Sequence, residues 1–160
     1  MPMPFLAPGD LENAGLSSTA ISISNPLVQE ESLLRTSLMP GQLKIISYNQ
    51  SHRIKKLKFF EIGHVYLPSE DNQLLPDERE YLSISIAGGD ATEIVAILDM
   101  ISLTMAFPNM QLKQQEIEGL HPGRSAQVFV AGQERGAVGE VDPRVLRNYG
   151  CLLYTSPSPR

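Results

Sequence analysis

Residues 57–67 read Leu-Lys-Phe-Phe-Glu-Ile-Gly-His-Val-Tyr-Leu, and the fold class turns on them. Phe59, Phe60, Ile62, Val65 and Tyr66 are strand-forming residues, so the stretch predicts a β-strand, opened by Phe59-Phe60 as a core element. Gly63 permits a bulge or the close approach of another segment. Residues 81–86, Tyr-Leu-Ser-Ile-Ser-Ile, alternate and place Leu82, Ile84 and Ile86 on one face of a second strand. The polar residues 68–77 between them read as a loop. Further on, Gln127 to Val130 and Ala137 to Val141 predict two more strands, joined as a hairpin through Gly132 to Gly136.

Helical signals surround these strands. Ile94, Ile97, Leu98, Ile101 and Met105 recur at helical spacing, with Asp90 or Thr92 as cap, Pro108 as terminator and the methionines as core filler. The stretch is too short and too polar to cross a bilayer. Residues 30–49 also read as helical, with Leu33, Leu34 and Leu38 as one apolar group and Leu43, Ile45 and Ile46 as another. Pro40-Gly41 divides them into two short helices or one kinked helix. Asp142-Pro143 predicts a last short helix through Leu146, with Asp142 as its N-cap. Mixed α+β architecture, a mainly antiparallel sheet flanked by helices, is the class these elements define.

Composition narrows the chemistry. Thirteen basic and 18 acidic residues give a net charge of −5, which argues against a coat for nucleic acid. One cysteine among 160 residues rules out a disulfide framework or a cysteine-based zinc site. The acidic pairs Asp10/Glu12, Glu30/Glu31 and Glu70/Asp71 read as caps and loop faces, so no metal site is expected. Met1 to Leu11 does not read as a signal peptide, and a cytoplasmic setting fits.

Individual residues hold the remaining interest. His121-Pro122-Gly123-Arg124-Ser125 reads as a turn leading into a strand, because a local His-x-x-x-Ser spacing supplies no catalytic geometry. Glu61, inside an apolar strand pattern, needs a cationic partner, and Arg35 or Arg124 is the candidate. Glu140 and Asp142 flank a strand-to-helix turn and are expected to satisfy local backbone donors. His52, Arg53, Lys55, Lys56 and Lys58 form the basic cluster of the chain. That cluster fits a solvated loop, an acidic protein partner or RNA phosphates.

Three blocks, in order, resemble the bacterial-type phenylalanyl-tRNA synthetase beta-subunit family. The first is Asn25-Pro26-Leu27 with Glu31-Ser32-Leu33-Leu34-Arg35-Thr36-Ser37-Leu38-Met39-Pro40-Gly41, running on to Phe60-Glu61-Ile62-Gly63-His64-Val65-Tyr66. Leu75-Pro76-Asp77-Glu78-Arg79 is the second. The third is His121-Pro122-Gly123-Arg124-Ser125-Ala126 with Gly136-Ala137-Val138-Gly139-Glu140-Val141-Asp142-Pro143-Arg144-Val145-Leu146. The resemblance covers most of residues 10–150 and implies a class II synthetase-like, noncatalytic module. It implies residues 1–24 as a leading segment and 25–150 as an incomplete core, while 151–160, with Pro157 and Pro159 and no continuing helical pattern, reads as a tail of appended, non-native sequence or a native mobile terminus.

The resemblance further implies a partner, the alpha subunit, which carries the aminoacylation site, with tRNA reached through the complete assembly. ATP and magnesium belong to that complete enzyme and no cofactor to this segment. Asn25, Arg35, Phe60, Glu61, Gly63, His121, Arg124, Ser125, Gly139, Glu140 and Pro143 match the family's motifs as structural or interface residues. Gln42 stands where the family usually has an apolar residue, which implies locally weaker packing.

Overall fold

The structure is a computed structural model, and it describes residues 4–17, 19–26, 28, 31–69, 75–107 and 109–151. All strand pairing among the described residues is antiparallel. Strand β1 (Phe5–Leu6) pairs with β2 (Leu33–Leu34), while helix α1 (Asp10–Asn13) lies between them in sequence. Helix α2 (Met39–Ser51) leads into a long ribbon of β3 (Leu57–Leu67) and β4 (Asp77–Ala87). Helix α3 (Ala91–Thr104) follows, then a three-stranded sheet of β5 (Gln111–Gln114), β6 (Leu120–Val130) and β7 (Gln133–Val141). Helix α4 (Pro143–Asn148) comes last.

The ribbon strand falls where its composition places it, from Leu57 to Leu67. Four other features differ from expectation. Leu33 and Leu34 form a strand, because the backbone of residues 4–6 and Ile21 offers them ladder partners: Leu34 N–H donates to Ile21 O and Arg35 N–H to Pro4 O. Pro40 does not break a helix; it sits in the first turn of α2, where its missing N–H would have had no partner. His121-Pro122-Gly123 lies inside β6 as a register irregularity between Leu120 and Ser125 instead of a turn before it. The β6–β7 turn is tighter than expected. Ala131 and Gly132 alone make it, at φ +50° and +77°, as a two-residue hairpin requires.

Both predicted caps are present. Asp90 accepts from the N–H groups of Thr92 and Glu93 at the start of α3. Asp142 accepts from Arg144 N–H at 2.7 Å and takes the same residue's guanidinium at 2.7 Å. These bonds hold its carboxyl at about 2, below the ordinary carboxylate range. A depressed value means a contribution that is complete above about pH 4 and fades as pH falls through 2. Asp142→Ala is therefore expected to cost about 1 kcal/mol at pH 7. Urea midpoints of the two proteins should converge as pH approaches 2, and an undiminished gap there would remove Asp142 as the charged cap.

Helices α1, α2 and α4 gather the buried aliphatic residues Leu11, Ala14, Leu43, Ile46 and Val145. Polar bonds fasten α4 in place: Ser47 Oγ donates to Tyr149 O at 2.6 Å and Asn148 Nδ2 to Asn13 O at 3.0 Å. Tyr149 Oη donates to Asp10 O at 3.1 Å, and burial pushes that phenol up to about 12. Cys151 is buried beside Leu43. The predicted tail lies otherwise outside the described residues, as does Pro108.

Helix α3 departs from the expected core helix. None of its residues is buried; Met100 is 58% exposed and Leu103 83%, and just past its end Met105 is 62% exposed. The predicted stripe of Ile94, Ile97, Leu98 and Ile101 is half-covered, and the methionines fill no core. No helix of the described residues is long and apolar enough to cross a membrane.

Candidate functional site: the faces of the β3–β4 ribbon

Successive residues of β3 point to opposite faces, and the burial follows that period. Glu61, Gly63 and Val65 are buried, whereas Lys58, Phe60, Ile62 and His64 are exposed. Phe60 is therefore an outward residue, 68% exposed, and not the core residue that its sequence context suggests. The register sets Glu61 opposite Ser83 and Phe59 opposite Ser85 on the inner face. On the outer face Ile62 meets Leu82 and Phe60 meets Ile84.

The inner face carries buried Val65 and also polar groups, which find their partners there. Arg35, leaving β2, donates from Nη1 to Glu61 Oε1 at 2.7 Å and from Nε to His64 O at 2.7 Å. Both side chains are about nine-tenths buried. Glu61 thus takes Arg35 as its partner, and Arg124 is elsewhere. Gly63 allows the approach, since a Cβ there would overlap the Arg35 guanidinium. Tyr66 N–H donates to Arg35 O at 2.8 Å, so backbone and side chain of one residue pin β3 to the start of α2. A cavity of about 310 Å³ opens beside this pair, lined by Pro4, Ile62, His64 and Tyr66 as well.

Gln42 completes the inner face. It is 2% exposed, yet every polar atom of its side chain is used. Its Nε2 donates to Ser83 O at 3.2 Å, and its Oε1 accepts from Ser83 Oγ at 2.8 Å and Ser85 Oγ at 2.6 Å. The expectation of weaker packing at Gln42 is corrected: the partners that make a buried amide tolerable stand on β4.

The other singled-out residues lie apart from this site. Arg124 forms an exposed pair with Glu140 at 2.5 Å, so Glu140 serves a side chain instead of the backbone donors expected for it. Ser125 is buried and donates to Gln115 O at 2.7 Å, while His121 Nδ1 accepts from Gly123 N–H at 3.1 Å; neither reaches the other. Gly139 packs against the backbone of Arg124 and Ser125, where a Cβ would stand 2.7 Å from Arg124 O. Pro143 begins α4, and Asn25 is exposed. In the basic cluster His52, Arg53, Lys55 and Lys56 are exposed, Arg53 with φ +65°, whereas Lys58 pairs with Glu93 at 2.6 Å. Among the described residues no group of three or more His, Cys, Asp or Glu comes together.

A nucleoside triphosphate needs cations or bare backbone N–H groups directed at its phosphates. Arg35 is committed to Glu61 and His64 O, and Gln42, Ser83 and Ser85 satisfy one another. The described residues of this ribbon do not fit ATP or its magnesium. Sequence reasoning found Arg35 and Glu61 but missed Gln42, Ser83 and Ser85 as a unit; the signal was a polar residue in α2 matched by the serines of an otherwise apolar strand.

The arrangement is that of a class II aminoacyl-tRNA synthetase fold with its sheet face closed by its own side chains. PylSc of Desulfitobacterium hafniense, a pyrrolysyl tRNA synthetase, superposes with a TM-score of 0.67 at 14% identity, over 95% of this chain and 55% of that one. The family model "Phenylalanyl tRNA synthetase beta chain CLM domain" matches residues 1–153, and the chain belongs to that family. The phenylalanine–tRNA ligase beta subunit of Clostridium tetani is 34% identical over 131 residues, 81% of this chain and 17% of the relative. That of Geobacter metallireducens is 28% identical over 165 residues, 91% of this chain and 20% of the relative. The chain thus spans a fifth or less of the length of these two relatives.

Proposed function

We propose that the chain is a noncatalytic scaffold within a phenylalanine–tRNA ligase, supporting ATP-dependent charging of tRNA with phenylalanine by an alpha subunit that carries the active site. One observation carries the reading. Helix α3 buries none of its residues and leaves Met100 58% and Leu103 83% exposed. Apolar surface left open in this way marks a contact with another protein. A module so open, with its inner sheet face sealed against ligands, supports partners and leaves the reaction to them. Assembly as a heterotetramer, a cytoplasmic setting and access to tRNA through the complete complex belong to the same proposal. Asn25, Phe60, His121, Arg124, Ser125, Gly139, Glu140 and Pro143 serve in it as structural or interface residues.

Co-expression of the chain with the alpha subunit, followed by size-exclusion chromatography with light scattering, tests it. A mixed species of defined mass is expected. A folded chain that elutes alone would overturn the claim that this module binds the alpha subunit.

A further inference from the structure

The end of α2 carries charge that the fold does not use. From Ser32 to Phe60 the sequence has no Asp or Glu, so this segment is basic within a chain of net charge −5. Arg35, Lys44 and Lys58 are paired with Glu61, Asp10 and Glu93. Arg53 and Lys56 are exposed, and their side chains have no ion pair among the described residues. A helix C-terminus calls for about half an elementary charge, which does not account for both. Arg53 also stands in a costly place. It has φ +65°, with its N–H donating to Gln50 O at 2.9 Å and Ile54 N–H donating to Asn49 O at 3.0 Å. These bonds close α2 in a motif whose left-handed position favours glycine. A side chain kept there costs free energy, and such positions cluster where a site needs them. Beside it the rings of Tyr48 and His52, one turn apart, meet at 4.4 Å with a 40° tilt. His52 Nδ1 donates to Tyr48 O at 2.8 Å, which fixes the imidazole, and Tyr48 remains 65% exposed.

We propose that this end of α2 binds an RNA strand, with phosphates on Arg53 and Lys56 and an unstacked base on the Tyr48 ring. The inference deepens the proposed function and rests on the part of it that gives the complex access to tRNA. Cations alone would serve an acidic protein equally well. The aromatic pair decides for RNA, because bases and phosphates alternate along a strand and an unstacked base lays its face on an exposed ring. Contact with His52 holds Tyr48 before any ligand arrives, so binding orders little. The segment beyond it is seated as well: a Cβ on Gly88 would overlap Lys55 O, which fixes this approach to β3 against the turn after β4. Recognition by charge and stacking reads no base edge. The surface therefore takes a single-stranded end or loop with little regard to its sequence.

The test titrates the full-length beta subunit, alone and with the alpha subunit, with a transcribed phenylalanine tRNA by filter binding across a series of salt concentrations. Arg53→Gly and Lys56→Gln are each expected to weaken binding and to lower the slope of log K against log salt by about 0.7–0.9, one phosphate contact apiece. Tyr48→Ala is expected to weaken binding about fivefold or more with the slope unchanged, because a stacked base releases no counterion. Arg53→Gly is the decisive variant. Glycine relieves the left-handed backbone, so its urea midpoint should equal or exceed the parent's while RNA binding falls. A purely structural role for Arg53 predicts no loss of binding. Unchanged affinity and slope in all three variants would overturn the proposal. Loss of alpha-subunit association with RNA binding intact would overturn it too, and would make the occupant an acidic protein surface. Chromatography of the same samples reports that association. A beta subunit that shows the expected variant effects on tRNA but never joins the alpha subunit would support the RNA contact while the scaffold reading fails.

Discussion

Glu61→Ala is expected to destabilise the chain by about 3–5 kcal/mol, a large part of the stability of any domain of this size. The cost is that of what remains. Arg35 is 9% exposed and cannot follow water outward without leaving His64 O, to which its Nε donates at 2.7 Å. Removing the carboxylate leaves a buried guanidinium with a hydrogen bond but no counter-charge. The pair itself is worth far less than its rupture, because both groups were desolvated to make it. Arg35→Met combined with Glu61→Leu should therefore recover most of the loss, and Gly63→Ala should resemble Glu61→Ala by forcing the guanidinium away. Urea melts monitored by far-ultraviolet circular dichroism measure all three variants against the parent. A Glu61→Ala loss below about 1 kcal/mol would show that Arg35 turns out to solvent and that the pair holds nothing.

The elements legible in the sequence were those governed by local chemistry. Leu57 to Leu67 is rich in β-branched and aromatic residues, and it forms a strand over that span. Asp90 and Asp142 cap helices because a carboxylate one residue ahead of the first turn has few alternatives. Leu33-Leu34 was illegible for the opposite reason: its state depends on backbone offered by residues nearly thirty positions earlier, which no local period reveals. The orientation of the ribbon was hidden too. Phe60, Ile62, Leu82 and Ile84 form the more apolar row, and apolarity alone turns that row inward. Instead Arg35 and Gln42 draw the row of Glu61, Ser83 and Ser85 toward α2, because each of those polar groups finds its partner there. Specific pairing across elements outweighed the binary pattern, and the apolar row faces out. The stripe of α3 was likewise legible as a stripe but not as a surface left half-covered.

Gln42 provides the second large effect, and it distinguishes a network from a tolerated defect. Gln42→Leu has nearly the same volume and the more apolar side chain, so packing alone predicts little change or a gain. The hydrogen bonds predict the reverse. The substitution takes the acceptor from the part-buried hydroxyls of Ser83 and Ser85 beneath α2, and leaves Ser83 O without its amide donor, each loss costing about 1 kcal/mol or more. A net loss of about 2–4 kcal/mol is expected for Gln42→Leu, measured by urea unfolding at neutral pH. Ser83→Ala with Ser85→Ala removes those hydroxyls, so the triple variant should return to within about 1 kcal/mol of the parent. Strong non-additivity is the signature, because the three side chains share one set of bonds and only their joint removal leaves no side chain unpaired. If the single and triple variants instead lose stability additively, the amide is an isolated polar residue and the inner face is held by aliphatic contacts alone. A polar set that can be exchanged whole for an apolar one, but not piece by piece, is how a sheet face comes to be sealed with polar groups beside buried aliphatic ones such as Val65. The seal then depends on the three residues being exchanged together, which ties a helix position to two strand positions more than forty residues away.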